Sequence, residues 1–583
     1  MNLKWNLRVH DAHMVQSIER HANVSPIVAQ LLAARGITSP EQVATFFDLK
    51  MTGLRPPDQL PGIPQAVTAI AAAITKQKRI FVYGDYDADG MTSTAIMVRC
   101  LKLLGANVAY FVPSRLDDGY GLSIETLDRL RKRGAEMIIS VDCGIGSIKE
   151  VEFANSQGIE IVITDHHHPG EKLPEAAAIV HPDLPGTDYP FAGLCGAGVA
   201  FKLAWALCTH HHGSPKLPLP MREFLFSAVS LAAIGTVCDV VPMKDENRII
   251  VHHGLNCLRS YATLGLKHLM EKAGCLTKDR LDASDLGWGV GPRLNAAGRL
   301  AQAQLGVELL ICENENRAAE LAEYIDALNK DRKSLEIQIQ RSAEKLIEEK
   351  FNPERESALV LANDDWHLGV IGIVAGRLAE RYQRPTVLIS LDPNGERPGV
   401  GSCRSACGVD LYEVLSGCRD HLDKFGGHSG AAGVSIEPSK IDEFREDFCQ
   451  QVVEQVSLDE LYQDLDVDAE AMVGHLTISM MNELQKLAPF GHENPSPVLA
   501  VKGVTLREVR TMGTEDQHLS VRMEQHGNLI RAVAFGKGEW AESLSCEDDQ
   551  HYDFAFKPVI NDFRGQYNVE MHLIDFRKSE FAC

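Results

Sequence analysis

The 14 cysteines of this chain form no C-x-x-C pair and follow no regular spacing. That excludes a disulfide-stapled small domain and the usual zinc-ribbon and redox-pair patterns. The opening residues, MNLKWNLRVHDAH, lack the apolar core of a signal peptide, so free thiols in a reducing cytoplasm are the expectation. The longest apolar window, 224–243, is interrupted by Asp239 and Pro242 and reads as a core helix leading into a loop, not a membrane span. An excess of positive charge is missing too: 58 Lys and Arg stand against 80 Asp and Glu, for a net charge of −22. A surface basic all over, which coats nucleic acid without selectivity, is excluded, but a local basic groove is not. Internal repeats and low-complexity tracts are absent. With 45% hydrophobic and 24% charged residues the 583-residue chain is globular in composition, and at that length it should divide into about three or four domains.

What is present is negative charge gathered in one place. The stretch 82–93, VYGDYDADGMTS, sets Asp85, Asp87 and Asp89 at alternate positions with Gly90 behind them. Carboxylates this close repel one another, and a fold tolerates them chiefly around a cation. A calcium loop of the EF-hand type is excluded: its twelfth position, which needs a bidentate glutamate, is Ile96, and the run 79–83 entering the loop reads as a buried strand. A solvated acidic turn is the alternative when the stretch is taken alone.

The rest of the chain supplies the context. Residues 1–55 read as a helical lead-in, since Ser25-Pro26 and Ser39-Pro40 each offer a cap and a first-turn proline, and Gln42 completes a capping box with Ser39. Strand-like runs at 80–83, 108–112, 137–141, 159–164 and 177–180 alternate with helical stretches, which predicts an α/β domain over 56–304 with a mostly parallel sheet. Ligands gather at the carboxyl ends of such strands. The third run ends in Asp142 and the fourth in Asp165-His166-His167, so acidic and imidazole groups share one sheet edge, which a chance surface turn does not predict. Leu321, Ile325, Leu328, Leu335 and Ile339 form a stripe with Arg332 at its skipped position, predicting a long connector helix within 305–350 that ends before Asn352-Pro353. A second α/β domain is expected over 351–455, carrying the glycine-rich stretches VGSCRS and FGGHSGAAGVSI. Short strands at 498–509, 519–523, 529–535 and 569–574 predict a small β-barrel over 460–583, an OB-fold or another of its size.

Aspartates with a histidine and no nearby cysteine select a hard or borderline cation such as Mn²⁺ or Mg²⁺. With this many candidate ligands two ions are expected, and their chemistry is phosphoester hydrolysis. Asp239, in TVCDVVP, is flanked by Val and Cys and needs either a cation or a structural hydrogen bond if it is buried. Candidate phosphate donors are Arg293, Asn295 and Arg299 in GPRLNAAGRL, Arg404 with Ser402, and the amides of Gly426 and Gly427 beside His428. His210, His211 and His212 lie in a Gly-, Ser- and Pro-rich segment and read as solvated.

Taken in order, GDYDADG, VDCG, TDHH, CDVVP and GPRLNAAGR, followed by GSCRS and GGHSGAAG, resemble the DHH phosphoesterase superfamily with its DHHA1 companion domain. Within it the chain is similar to the bacterial single-strand-specific 5′ to 3′ DNA exonucleases, and PFGHENPSP at 489–497 resembles the segment leading into their OB-fold. The resemblance implies Asp87, Asp89, Asp142, His166 and Asp239 as metal ligands, with Asp85 and Asp165 as ligands or supporting partners. It implies that His167 contacts the scissile phosphate or polarises the site, that Arg115, Ser402 and Arg404 hold a 5′-terminal phosphate, and that His428 and its neighbouring glycines touch the nucleotide. It further implies two-metal hydrolysis releasing 5′ mononucleotides in DNA repair, recombination and mismatch repair. The strand would thread between the first two domains of a monomer, with a single-strand-binding protein and a helicase as partners. One departure stands out: many superfamily members have a metal-binding His where this chain has Tyr83, so one ion is expected to have fewer side-chain ligands and more water. Two rival readings are a phosphodiesterase of short oligonucleotides or cyclic dinucleotides, which the long connector and barrel disfavour, and a noncatalytic nucleic-acid scaffold, which the complete ligand set disfavours.

Overall fold

The computed structural model describes residues 3–8, 10–115, 119–352, 356–457, 464–547, 549–563 and 566–579; Pro353, the expected stop of the connector, lies outside them. The chain divides into two units, one of Leu54–Val241 and Glu246–Tyr462, the other of Met1–Gly53, Pro242–Asp245 and Gln463–Cys583.

The first unit is built on a five-stranded parallel sheet in the order Asn107–Phe111, Arg79–Tyr83, Met137–Val141, Glu160–Thr164, Ala178–Val180. The three central strands are buried nearly end to end, as aliphatic runs covered on both faces must be. All five runs expected from the sequence fall on these strands. The strand order reverses at Arg79–Tyr83, which opens a crevice between its carboxyl end and that of Met137–Val141. Helices Ala88–Leu103, Gly196–His212 and Leu219–Cys238 pack against one another. Leu219–Cys238 is long and apolar enough to cross a membrane by composition, but its Phe224, Val229, Leu231 and Ile234 are buried in this core.

The connector is the 36-residue helix Glu315–Lys350, preceded by a separate helix, Ala303–Ile311. Leu321, Ile325, Leu328 and Ile339 are buried. Arg332, at the gap in the stripe, is buried as well and donates to Glu336 Oε2 at 2.9 Å, while Arg377 reaches the other oxygen of Glu336 at 3.1 Å. The end of the helix, with Ile339, Ala343 and Ile347, joins the core of a second, mixed sheet, in the order Lys424–Gly427, Ala431–Ile436, Gly399–Arg404, Thr386–Ser390, Leu359–Asn363. The two glycine-rich stretches are therefore strands of this sheet and not free turns. Where strands pack this closely glycine is required: a β-carbon on Gly401 would stand 2.6 Å from Val434 Cγ2.

The second unit is a barrel of Leu499–Met512, His518–Gln525, Asn528–Ala534, Gln566–Lys578 and Tyr552–Phe563, closed by the pairing of Leu499–Met512 with Tyr552–Phe563. Sequence reading passes over Tyr552–Phe563 because Pro558 interrupts it. The proline is accommodated because the strand pairs with Leu499–Met512 only as far as Phe556. The amino-terminal segment is not a separate lead-in. Its helices Ala12–Ala22, Pro26–Ala34 and Pro40–Phe47 bury Val15, Ile18, Leu31, Leu32 and Val43 in the barrel's own core, and an unanticipated strand, Lys4–Leu7, pairs with Asp464–Val467. The capping box of Ser39 and Gln42 forms, whereas Ser25 makes no side-chain cap bond.

Candidate metal centre and phosphate site

Three neighbouring strands deliver their carboxyl ends to the crevice. After Arg79–Tyr83 the chain turns through Asp85 and Asp87 into helix Ala88–Leu103, with Asp87 as N-cap accepting the Gly90 amide at 2.9 Å. Gly90 is obligatory, since a β-carbon there would lie 2.6 Å from the Asp85 backbone. Met137–Val141 ends on Asp142, held at a φ of +63°, and Glu160–Thr164 ends on Asp165, His166 and His167. Asp239 is the C-cap of Leu219–Cys238. His166 Nε2 lies 3.1 Å from Asp142 Oδ1, 3.4 Å from Asp239 Oδ2 and 3.9 Å from Asp89 Oδ2.

Asp89 is held by a helix end. The amides of Gly196 and Ala197 donate to its two oxygens at 2.7 and 2.9 Å, so the positive end of Gly196–His212 faces the carboxylate. A β-carbon on Gly235 would come within 2.2 Å of Asp89 Oδ1, so this glycine too makes room for the ligand.

Asp165 has a different role from its neighbours. Its Oδ1 accepts the His166 and His167 amides and His167 Nδ1, the last at 2.7 Å, and its Oδ2 accepts the Ile145 amide at 2.9 Å. Burial alone would raise its pKa, but the His167 bond and these amides bring it down to about 2. The same pairing overcomes burial and lifts His167 to about 9. Asp165 is thus spent on orienting and charging His167, which is the supporting place that the sequence offered as one of its two alternatives. His181 adds a second support: its Nδ1 accepts the Asp183 amide, so its Nε2–H donates to the His167 carbonyl at 2.7 Å.

The remaining carboxyls are electrostatically frustrated. Burial first, and then the charge of Asp87, pushes Asp85 well above the ordinary carboxylate range. Burial and neighbouring carboxylates do the same to Asp142, raise Asp87, and push Asp239 up to about 9. Burial lowers the pKa of His166. Asp85 Oδ1, Asp142 Oδ1 and His166 Nε2 are buried with no hydrogen-bond partner. Orphaned acceptors cost free energy unless a cation meets them. Three sets bring their ligand atoms within 4.8 Å of one another: Asp85, Asp87 and Asp142; Asp89, His166 and Asp239; and Asp142, His166 and His167. Carboxylate oxygens with so few imidazoles fit a hard or borderline divalent cation such as Mn²⁺ or Mg²⁺. Tyr83 takes no part, because its ring is buried against Phe111 and its hydroxyl donates to the Gly121 carbonyl at 2.7 Å.

Positive charge gathers nearby. Burial, followed by the charges of Arg115, Arg332 and Arg404, lowers Arg299 to about 10. Arg404 donates to Ser402 Oγ at 2.9 Å, and a β-carbon on Gly372 would strike both side chains. Arg115 lies over the Tyr86 ring at 5.3 Å. Its charge is felt by Asp85 on the acidic side and by Arg299 and Arg404 on the cationic side.

Other expected donors are placed differently. Arg293 is committed to Asp326, to the Gly289 carbonyl and to the Lys272 carbonyl. Asn295 Oδ1 accepts the Ala88 amide at 2.8 Å, so this residue braces the acidic loop. Gly426, Gly427 and His428 lie on an exposed hairpin. His210, His211 and His212 are exposed, but they form the last turn of a helix. Sequence reading missed Gly196, Ala197, Gly235, His181 and Tyr120, whose hydroxyl lies 3.1 Å from His167 Nδ1. Of these only Gly196, in the CGAG stretch opening an apolar helix, carried a local signal.

Comparison with known proteins agrees with this fold and domain order. Residues 79–233 match the DHH family N-terminal domain, 355–454 the DHHA1 domain and 467–575 the RecJ OB domain. The chain is 36% identical to the single-stranded-DNA-specific exonuclease RecJ of Bacillus subtilis, over 99% of this chain and 71% of that one. It is 35% identical to the single-stranded-DNA-specific exonuclease RecJ of Escherichia coli, over 98% of this chain and 99% of that one. The crystal structure of RecJ from Thermus thermophilus in complex with Mn²⁺ superposes with a TM-score of 0.83 at 29% identity, covering 100% of this chain and 80% of that one. With all three domain matches in order and near full-length identity above one third, the chain belongs to the RecJ family.

Proposed function

We infer that this protein is a metal-dependent exonuclease specific for single-stranded DNA, which hydrolyses phosphodiester bonds from the 5′ end and releases 5′ mononucleotides. One observation carries the reading: Asp85 Oδ1, Asp142 Oδ1 and His166 Nε2 are buried without hydrogen-bond partners in sets whose ligand atoms lie within 4.8 Å of one another, and Arg115 lies over the ring of Tyr86 in the same acidic loop. A terminal phosphate on the arginines and Ser402 would bring the adjoining phosphodiester to the carboxylates. Asp85, Asp87, Asp89, Asp142, His166 and Asp239 would hold two divalent ions, Mn²⁺ or Mg²⁺. When bound, such ions acidify a shared water and neutralise charge on the phosphate. His167, kept protonated by Asp165, donates to a phosphate oxygen, and Asn295 keeps the acidic loop in place. His428, Gly426 and Gly427 would contact the nucleotide from their hairpin, and the barrel would bind further strand by stacking and local basic contacts.

The chain would work as a monomer. Its place would be the cytoplasm, in repair and recombination, where a helicase and a single-strand-binding protein present such a strand. The test is Mn²⁺-dependent digestion of a 3′-labelled single strand beside the same strand in a blunt duplex. Progressive shortening of the labelled strand with the duplex spared supports the reading. An intact long strand beside rapid cleavage of a dinucleotide overturns it.

A further inference from the structure

Trp288 is 84% exposed, the barest large hydrophobic side chain among the described residues. It rides on a π-helical turn, Asp285–Val290, whose Asp285, Leu286 and Val290 are buried, so the turn is anchored while the indole is held out. The turn is pressed against the end of the helix that presents Asp239. A β-carbon on Gly287 would stand 3.4 Å from Val237 Cγ1, and one on Gly291 would stand 2.3 Å from Cys238 Sγ. On the other side of Asp239 the chain continues into Val240, which is 63% exposed and has a φ of +60°. That conformation is strained for a β-branched residue. Two bare apolar side chains, one carried by a π turn and one by a strained backbone, therefore adjoin the residues around one candidate metal ligand. Both leave most of their apolar surface in water, and π turns recur at functional sites.

We propose that Trp288, with Val240, forms an apolar shelf on which a nucleobase of the single-stranded substrate stacks, holding the strand in register with the metal centre. The proposal rests on the exonuclease reading. An indole face accepts any base, because every base offers a π surface. An indole and an isopropyl group offer a phosphate no hydrogen bond and no charge, so the base edge of the strand and not its backbone is what this wall accepts. A duplex keeps its bases stacked inside and cannot use the shelf, which adds to selection for single strands.

The test uses the full chain with Trp288→Ala and Trp288→Phe, both at a surface position where folding is not at stake. On a 3′-labelled oligodeoxythymidylate with Mn²⁺, Trp288→Ala raises KM roughly tenfold or more while kcat changes less, and Trp288→Phe retains most of the affinity. In a cleavage-deficient Asp89→Ala background the same oligonucleotide quenches indole emission, and Trp288→Phe removes that quenching. An unchanged KM in Trp288→Ala, or quenching that survives Trp288→Phe, overturns the shelf while leaving the exonuclease reading intact. If the unmutated chain neither degrades nor binds the oligonucleotide, the exonuclease reading fails, and the shelf with it.

Discussion

The backbone amide of Gly196 donates to Asp89 Oδ2 at 2.7 Å, and a β-carbon on Gly196 would stand 2.5 Å from Asp142 Oδ1. One glycine therefore seats two candidate ligands at once. Gly196→Ala should displace them and lower activity about 10- to 100-fold, with far-UV circular dichroism unchanged. The quantity to measure is the Mn²⁺ concentration giving half-maximal rate, which should rise.

Asp165 spends both oxygens on amides and on His167. Asp165→Asn would leave His167 without the partner that keeps it charged. The expected loss in kcat is about 10- to 100-fold, with metal affinity less affected because both Asp165 oxygens are taken by amides and His167. A pH–rate profile checks it: the high-pH limb attributed to His167, near 9 in the parent, should move down in the variant.

Metal binding should be linked to protons. Asp239 is raised to about 9 and Asp85 and Asp142 are raised as well, whereas unfolded carboxyls ionise near 3.8. Between about pH 4 and 9 the folded, metal-free chain holds more protons than the unfolded one, so these groups make its stability fall as pH rises. A divalent ion replaces those protons. Chelator-treated protein should therefore lose Tm from pH 5 to 8, and the rise in Tm on adding Mn²⁺ should grow over the same range. An equal Mn²⁺ effect at both pH values would contradict this.

Arg404→Ala should remove the charge-assisted phosphate contact proposed for it and leave the carboxylate cluster untouched. Digestion of a 5′-phosphorylated strand should slow by roughly tenfold or more, while a 5′-hydroxyl strand is degraded as before. Competition between the two substrates gives the ratio directly.

Glu246, fully buried, gathers Lys202, Tyr189, and both the amide and the guanidinium of Arg55. Glu246→Ala would remove the carboxylate that faces the buried Lys202 ammonium, at a cost of about 3–5 kcal/mol. Urea unfolding of the variant should show a lower midpoint with an unchanged slope.

The amino-acid sequence by itself determined the parallel sheet, the connector helix and the identity of the acidic centre. Aliphatic strands, a helical stripe, and carboxylates spaced two apart after a strand are set by backbone periods that span only a few residues. The tertiary structure alone decided how those side chains are used. Asp89 meets the amide of a residue 107 positions away, Asn295 turns back to Ala88, and Arg293 is taken by Asp326. The amino-terminal helices likewise carry the apolar faces the sequence shows, yet only folding assigns those faces to the barrel core. Partner choice at such separations depends on where the chain brings two groups together and which one desolvates the other, and neither is written in local spacing.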